Sequence, residues 1–298
     1  MNDLNINGLE VYSWSMLAQY LSCRKKFDWR YNQLLVPTGR STALGFGTVF
    51  HAAMESWYSF KDYERAKRDM LDEADKCGLV ETMEEHPKHS KERALKVFEQ
   101  YVNTYKDDFT VEIVDNRPAI EVPFVVEIND ISPSFLYVGT LDGIIRRNGA
   151  LYGFEHKTTQ RVDDAYLHSF RPNHQITGYC WGLSNYIEEP IGNFLVNIVH
   201  LLKNETKFLR INTTRTTYEV HDFKKQLIAM VTDIRKARLD EAWYMNTTNC
   251  SAYGGCPYRE LCTANPEHVE NFKAAAYEKE LPRDLLFVNS LLSGREIT

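Results

Sequence analysis

No stretch of this 298-residue chain approaches the roughly 18 consecutive apolar residues that a membrane-spanning helix needs. An excess of basic charge is missing too: 35 Lys and Arg face 41 Asp and Glu, a net charge of −6. That excludes a global basic field that would attract nucleic acid by charge alone, although a local basic groove remains compatible with it. The opening residues Met1-Asn2-Asp3-Leu4 lack the charged-then-apolar pattern of a secretory signal, so the chain reads as cytoplasmic. Cysteine is scarce, with six residues, and in a reducing compartment six thiols do not make a disulfide framework. Internal repeats, low-complexity segments and helicase motifs are absent from the sequence. What is present is ordinary for a folded protein: 43% apolar and 26% charged residues. The 17 tyrosines offer many stacking or interface surfaces, and the length suits one large domain or two modest ones.

The pattern of apolar residues changes along the chain. Ser13 or Ser15 can cap a helix whose apolar positions include Leu17, Tyr20, Leu21, Phe27 and Tyr31. Its polar side carries Arg24, Lys25, Lys26 and Arg30. Pro37 and Gly39 break the chain, and helices are expected over 46–60, 61–76 and 90–106. From Val111 the period becomes two. Strands are expected over 120–128, with Pro123 marking an edge or a bulge, and over 135–145 and 151–157. The turn at Arg147-Asn148-Gly149 joins the last two as a hairpin. A long helix over 163–187, strands over 194–202 and 207–211 and a helix over 216–244 complete the pattern. This order is α/β and reads as a single domain over 1–265, made of a helical N-terminal cap over 10–108, a core over 109–245 and a cysteine-bearing region over 246–265, followed by a tail over 266–298 of open role.

Gly139-Thr-Leu-Asp142-Gly is followed, across the hairpin, by Gly153-Phe-Glu155-His-Lys157-Thr. Glu155 and Lys157 are two apart on a strand and share a face, which Asp142 can reach from the neighbouring strand. Two carboxylates and one ammonium suit a hard divalent cation such as Mg²⁺ or Mn²⁺ and the hydrolysis of a phosphodiester. The plainer reading is a surface hairpin with exposed ion pairs. Upstream, His51 and Glu55 are four apart on an expected helix, and His51 is a candidate third ligand. Downstream, Gln175 and Tyr179 are also four apart and could meet a nucleic-acid strand or pack internally.

Taken in order, Gly47-x-x-x-His51, Gly-Thr-Leu-Asp142-Gly, Glu155-His-Lys157 and Gln175-x-x-x-Tyr179 resemble the RecB-like branch of the PD-(D/E)xK nucleases. The resemblance implies a restriction-endonuclease-like core with a mixed central sheet. It also implies His51, Asp142 and Glu155 as ligands of Mg²⁺ or Mn²⁺, Lys157 as catalytic lysine, and Gln175 and Tyr179 beside the active site and DNA. Leu141 stands where the superfamily name expects proline, at a position that carries no ligand. The expected activity is that of a metal-dependent exonuclease on single-stranded or frayed DNA. Such a nuclease would stand alone, as a phage-encoded enzyme can, or act with partners in recombination or CRISPR adaptation. A non-catalytic DNA-binding or assembly subunit on the same fold is the alternative.

Cys250, Cys256 and Cys262 are spaced six apart, and Tyr253-Gly-Gly between the first two can turn tightly. Cys23 is the natural fourth thiolate, and a four-cysteine set takes an iron–sulfur cluster or zinc. The wide spacing disfavours zinc. A subset of RecB-like nucleases, including CRISPR-associated exonucleases and the AddB-type helicase–nuclease subunit, is similar in having one cysteine before the core and three after it. That resemblance implies a structural [4Fe–4S] cluster on Cys23, Cys250, Cys256 and Cys262, although the family's distal trio more often starts with a two-residue gap. A zinc-stapled interaction module is the other reading. Cys77 and Cys180 read as packed residues. Arg24, Lys25 and Arg30 could line a channel for single-stranded DNA, or form a solvated helix face.

Overall fold

The computed structural model describes residues 5–39, 42–105, 109–187, 189–252 and 255–292. Tyr253 and Gly254 of the expected cysteine-region turn lie outside the described residues. The fold is mixed α/β and divides into two compact units. One comprises 1–39, 124–139 and 221–298, and the other comprises 40–123 and 140–220.

The first unit begins with β1 (Asn5–Ile6) and β2 (Leu9–Ser13), an antiparallel pair. Ser13 caps α1 (Trp14–Ser22), its side chain accepting from the Met16 N–H. Helix α1 buries Met16, Leu17 and Tyr20, whereas Leu21 is exposed. The helix does not run on as its apolar spacing predicts. Cys23 is extended (φ −165°, ψ 117°), and the chain restarts as α2 (Arg24–Phe27) and a wide π-type turn over Asp28–Asn32. Tertiary hydrogen bonds hold this break: the Lys25 N–H donates to the Tyr244 carbonyl at 3.1 Å, and the Asn246 N–H donates to Cys23 Sγ at 3.3 Å. Strand β3 (Leu35–Pro37) follows.

The second unit packs three helices, α3 (Thr42–Phe60), α4 (Tyr63–Lys76) and α5 (Lys91–Thr104), on a sheet. Asp62 and Ser90 cap α4 and α5 through the N–H groups of Arg65 and Arg93. Phe46, Phe50 and Met54 of α3, Met70 of α4 and Phe98 and Tyr101 of α5 share one buried core with sheet residues such as Phe154, Leu195 and Val199. Short strands β4 (Thr110–Val111), β5 (Ile113–Val114) and β6 (Arg117–Pro118) lead into β7 (Ile120–Ile128) and β8 (Phe135–Arg147). β7 pairs with β8. β8 contributes its first residues to the first unit, where it lies parallel to β2, and the rest to the second. Asn148 and Gly149, both with positive φ (52° and 81°), turn β8 into β9 (Ala150–Thr159) as the hairpin pattern predicts.

The single helix expected over 163–187 is two. Pro172 lacks the N–H that a continuous helix needs, so α6 (Asp164–His168) stops and α7 (His174–Leu183) starts afresh on an Asn173 cap. Strand β10 (Asn193–Leu201) then lies parallel to β9, and β11 (Thr206–Thr214) antiparallel to β10, which makes the sheet mixed. At Gly153 a Cβ would sit 2.3 Å from the Phe194 ring, so β9 and β10 need glycine there.

The chain returns to the first unit along α8 (Thr217–Leu239), which buries Phe223, Leu227, Val231 and Ile234. After α9 (Arg259–Thr263) and a 3-10 turn over Pro266–His268 come α10 (Val269–Ala276), β12 (Tyr277–Lys279) and α11 (Arg283–Leu292). The tail is therefore ordered over its described residues. β12 pairs antiparallel with β3, and the Ser13 hydroxyl donates to Asp284 on α11 at 2.6 Å. Trp29, Leu35, Tyr258 and Leu261 form a small separate core in this unit.

Candidate active site

All the expected catalytic residues fall in the second unit. α3 delivers His51. One turn earlier, Gly47 lets α3 approach β9 closely: a Cβ there would stand 3.2 Å from Thr158 Oγ1, so that hydroxyl would have to give way. The close approach brings His51 Nδ1 to 3.5 Å from Asp142 Oδ1. Burial lowers the His51 pKa, which favours the neutral, ligating imidazole. The other Asp142 oxygen accepts the His156 N–H at 2.6 Å, so the carboxylate is fixed across the hairpin. Gly143 pairs with Phe154, which sets Asp142 and Glu155 at neighbouring positions where the hairpin ladder ends.

Glu155 and Lys157 share a face as the strand period predicts, and their side chains form an ion pair. Lys157 Nζ also donates to Gln175 Oε1 at 3.1 Å, and Gln175 Nε2 donates to the Tyr179 hydroxyl at 2.9 Å. The α7 pair thus braces the lysine from a second element. Tyr179 is buried and stacks on Phe194, with ring centroids 6.4 Å apart. Glu155 is 2% exposed, and its Oε2 has no hydrogen-bond partner among the described residues. A buried carboxylate oxygen without a partner is costly unless something positive meets it.

One site residue escapes sequence reasoning. Ligand atoms of His51, Glu121 and Asp142 lie within 4.8 Å of one another, the only such group of three His, Cys, Asp or Glu residues found among the described residues. Glu121 takes the third place in this group, which the motif spacing assigns to Glu155. It sits on β7 in the left-handed region (φ 47°), where a side chain other than glycine is strained. In sequence, Ile120-Glu121-Val122 looks like an ordinary strand with an outward glutamate. The nearby Pro123, read as an edge or bulge marker, is the only signal that the backbone deviates.

The electrostatics say what this cluster lacks. Burial raises the Asp142 pKa to about 6, against the pull of Lys157 and the His156 N–H. Burial, then the charge of Asp142, raises Glu155 to about 7. Burial and the charges of Asp142, Glu55 and Glu155 raise Glu121 to about 9. Burial alone would lower Lys157, but Glu155 and Asp142 outweigh it and raise its pKa. One ammonium faces more buried negative charge than it can neutralise. A divalent cation fits this donor set, being hard, oxygen-seeking and doubly charged.

The family model described as the PD-(D/E)XK nuclease superfamily matches residues 11–263. The chain belongs to that superfamily. Solved structures with some likeness include SSO0001, at 17% identity and TM-score 0.26, covering 37% of this chain and 49% of that one. A second is a Eubacterium rectale protein with the provisional name of exonuclease, at 11% identity and TM-score 0.45, covering 77% of this chain and 82% of that one. The chain thus spans about half the length of SSO0001. No curated protein matches. No helix among the described residues is long and apolar enough to cross a membrane.

The four cysteines expected to hold a cluster lie in the first unit. Cys23, Cys250 and Cys256 line a cavity of about 140 Å³ together with Lys26, Asn246 and Asn249. Cys262 accepts from the Trp29 indole N–H at 3.2 Å. Burial raises its pKa, the Cys256 and Cys23 thiols act on it in the same direction, and Cys256 and Cys262 both pack against the Trp29 core. Cys180 is buried elsewhere, its thiol pushed up to about 12, and Cys77 ends α4.

The three expected DNA-contacting cations are engaged within the first unit. Arg24 pairs with Asp233 at 2.5 Å and Lys25 with Asp28 at 2.9 Å. Arg30 donates to the Glu280 carbonyl at 2.8 Å.

Proposed function

We propose that this protein is a metal-dependent DNA exonuclease of the RecB-like type, acting on single-stranded or frayed ends. The observation that carries the reading is the His51, Glu121, Asp142 cluster beside the partnerless Glu155 Oε2. His51, Glu121 and Asp142, with Glu155 adjacent, would hold Mg²⁺ or Mn²⁺. A cation bound there would polarise the scissile phosphate and lower the pKa of a bound water. Lys157, held by Glu155 and Gln175, presents its ammonium where charge develops on the phosphate oxygens. Gln175, held in turn by Tyr179, keeps that ammonium in one place.

The test is cleavage of end-labelled single-stranded, blunt and frayed DNA in Mg²⁺, Mn²⁺ and EDTA. Cutting from ends that needs metal and is lost in Asp142→Asn, Glu155→Gln and Lys157→Ala is the expected result. Folded variants that cut at the wild-type rate would overturn it. A wild-type protein that binds DNA but never cuts would favour the assembly-subunit alternative.

The cysteine cavity supports a second, structural metal group. A single zinc in a four-cysteine site brings its sulfurs to about 3.8 Å from one another, given Zn–S bonds of about 2.3 Å. Among the described residues no three cysteine sulfurs come within 4.8 Å of each other. A polynuclear cluster holds its thiolates further apart, and we take [4Fe–4S] as the group here with zinc as the alternative. The N–H groups of Trp29 and Asn246 already point at two of the sulfurs. Iron and sulfide analysis of anaerobically purified protein decides between four irons and one zinc.

A further inference from the structure

We propose that Arg215 is a positioning residue for this active site, locking the start of α7 so that Gln175 reaches Lys157; the proposal rests on the nuclease reading above. Arg215 is 6% exposed. Its Nε donates to Thr177 Oγ1 at 2.7 Å. One terminal nitrogen donates to Thr213 Oγ1 at 3.0 Å and to the Thr214 carbonyl at 2.9 Å. The other donates to the carbonyls of Phe170 at 2.8 Å and Asn173 at 3.1 Å. A guanidinium has five N–H donors, and here all five have neutral acceptors.

Electrostatics alone would not put a cation there. Burial carries a desolvation cost and lowers the arginine pKa. The start of a helix is also the positive end of its dipole. With every donor occupied, none is left for a DNA phosphate. What the arrangement supplies is geometry. Phe170, Asn173 and Thr177 belong to the loop and first turn of α7, while Thr213 and Thr214 end β11. The Arg215 N–H itself donates to the Gly192 carbonyl at 2.7 Å, just before β10. α7 has ten residues and follows a proline, too short to hold its own geometry in isolation. Thr177 lies midway between Gln175 and Tyr179, so the lock acts on the turn that braces Lys157.

Single-turnover cleavage by Arg215→Met, Thr177→Val, Gln175→Ala and the Arg215→Met/Gln175→Ala double variant tests this. The reading is the rate constant per bound DNA, which a smaller folded fraction does not change. Arg215→Met should slow it roughly tenfold or more, as misplacement of a catalytic group does. Thr177→Val should slow it less, and Mn²⁺ affinity should hold in both. The double variant should be no slower than Gln175→Ala. A wild-type rate constant in folded Arg215→Met, or multiplied effects in the double variant, overturns the proposal. If Arg215→Met does not fold, a wild-type rate constant in Thr177→Val overturns it. Amide exchange over 174–183 keeps the two readings apart. If the wild type cuts no DNA, the nuclease reading falls, while unchanged exchange in Arg215→Met and Thr177→Val shows that the lock itself does not exist.

Discussion

Replacing Glu121 by Gln should stabilise the metal-free protein and weaken its response to metal. The unfolded chain releases the Glu121 proton near 4.5, whereas the folded protein holds it until about 9. Between those values the folded state binds more protons than the unfolded one, so its stability falls as pH rises. Each unit between the two values is worth about 1.4 kcal/mol, which makes the cost at pH 7.5 on the order of 4 kcal/mol at most. The neutral amide of the variant carries no such cost. A cation that binds only the folded state adds stability by mass action, about 2.7 kcal/mol at a hundredfold excess over its Kd. Its gain should grow with pH as Asp142, Glu155 and Glu121 ionise, through the window from about 6 to about 9. Urea melts at pH 6 and pH 8.5, with EDTA and with Mn²⁺, read all of this. In EDTA, Glu121→Gln should be the more stable protein, by a margin that widens at the higher pH. In Mn²⁺ the wild type should gain more than the variant. Identical melts for both proteins in all four conditions would show that Glu121 is neither buried beside negative charge nor a metal ligand.

Cys23→Ala should bleach an iron-loaded protein and lower its melting temperature, while Cys77→Ala and Cys180→Ala keep the colour; absorbance near the cluster band and iron content check this. Gly153→Ala should cost about 1–3 kcal/mol in urea melts, the usual penalty of overpacking, because its methyl meets the Phe194 ring. Neutralising Arg24, Lys25 and Arg30 together should lower the melting temperature, since each has an acceptor within its own unit. A flatter salt dependence of DNA affinity in that variant would assign them phosphate contacts as well.

The hairpin that carries Asp142, Glu155 and Lys157 was legible because its pattern is local. Alternation across β8 and β9 and the Asn148-Gly149 turn fix which residues share a face, so Asp142, Glu155 and Lys157 converge without tertiary information. The split of 163–187 into two helices was missed, although its mark is local: Pro172 stands between α6 and α7. The break at Cys23 has no such mark. Neither proline nor glycine stands there, and the extended residue is held by Asn246, more than two hundred positions away. Glu121 was hidden for a related reason. A strand glutamate faces water by default, whereas Glu121, on a left-handed backbone, brings its carboxylate within 4.8 Å of the His51 and Asp142 ligand atoms. β1, β3 and β12 are two or three residues long and exist by pairing, which periodicity does not register.

The first unit is assembled from three separated stretches of chain, and this sets an order of events during synthesis. The polypeptide for the second unit is finished by residue 220. The partners of the N-terminal segment arrive last: Asn246 for Cys23, Tyr258 for the Leu35 carbonyl, and β12 for β3. Until then Trp29 and Leu35 have no small core to enter. The delay carries little thermodynamic penalty, since doubling a loop adds only about 0.6 kcal/mol to its closure. Its consequence is kinetic. A ribosome that stops before Cys262 leaves a chain that holds every residue of the carboxylate cluster, yet with the first unit's thiols unassembled and open to oxidation.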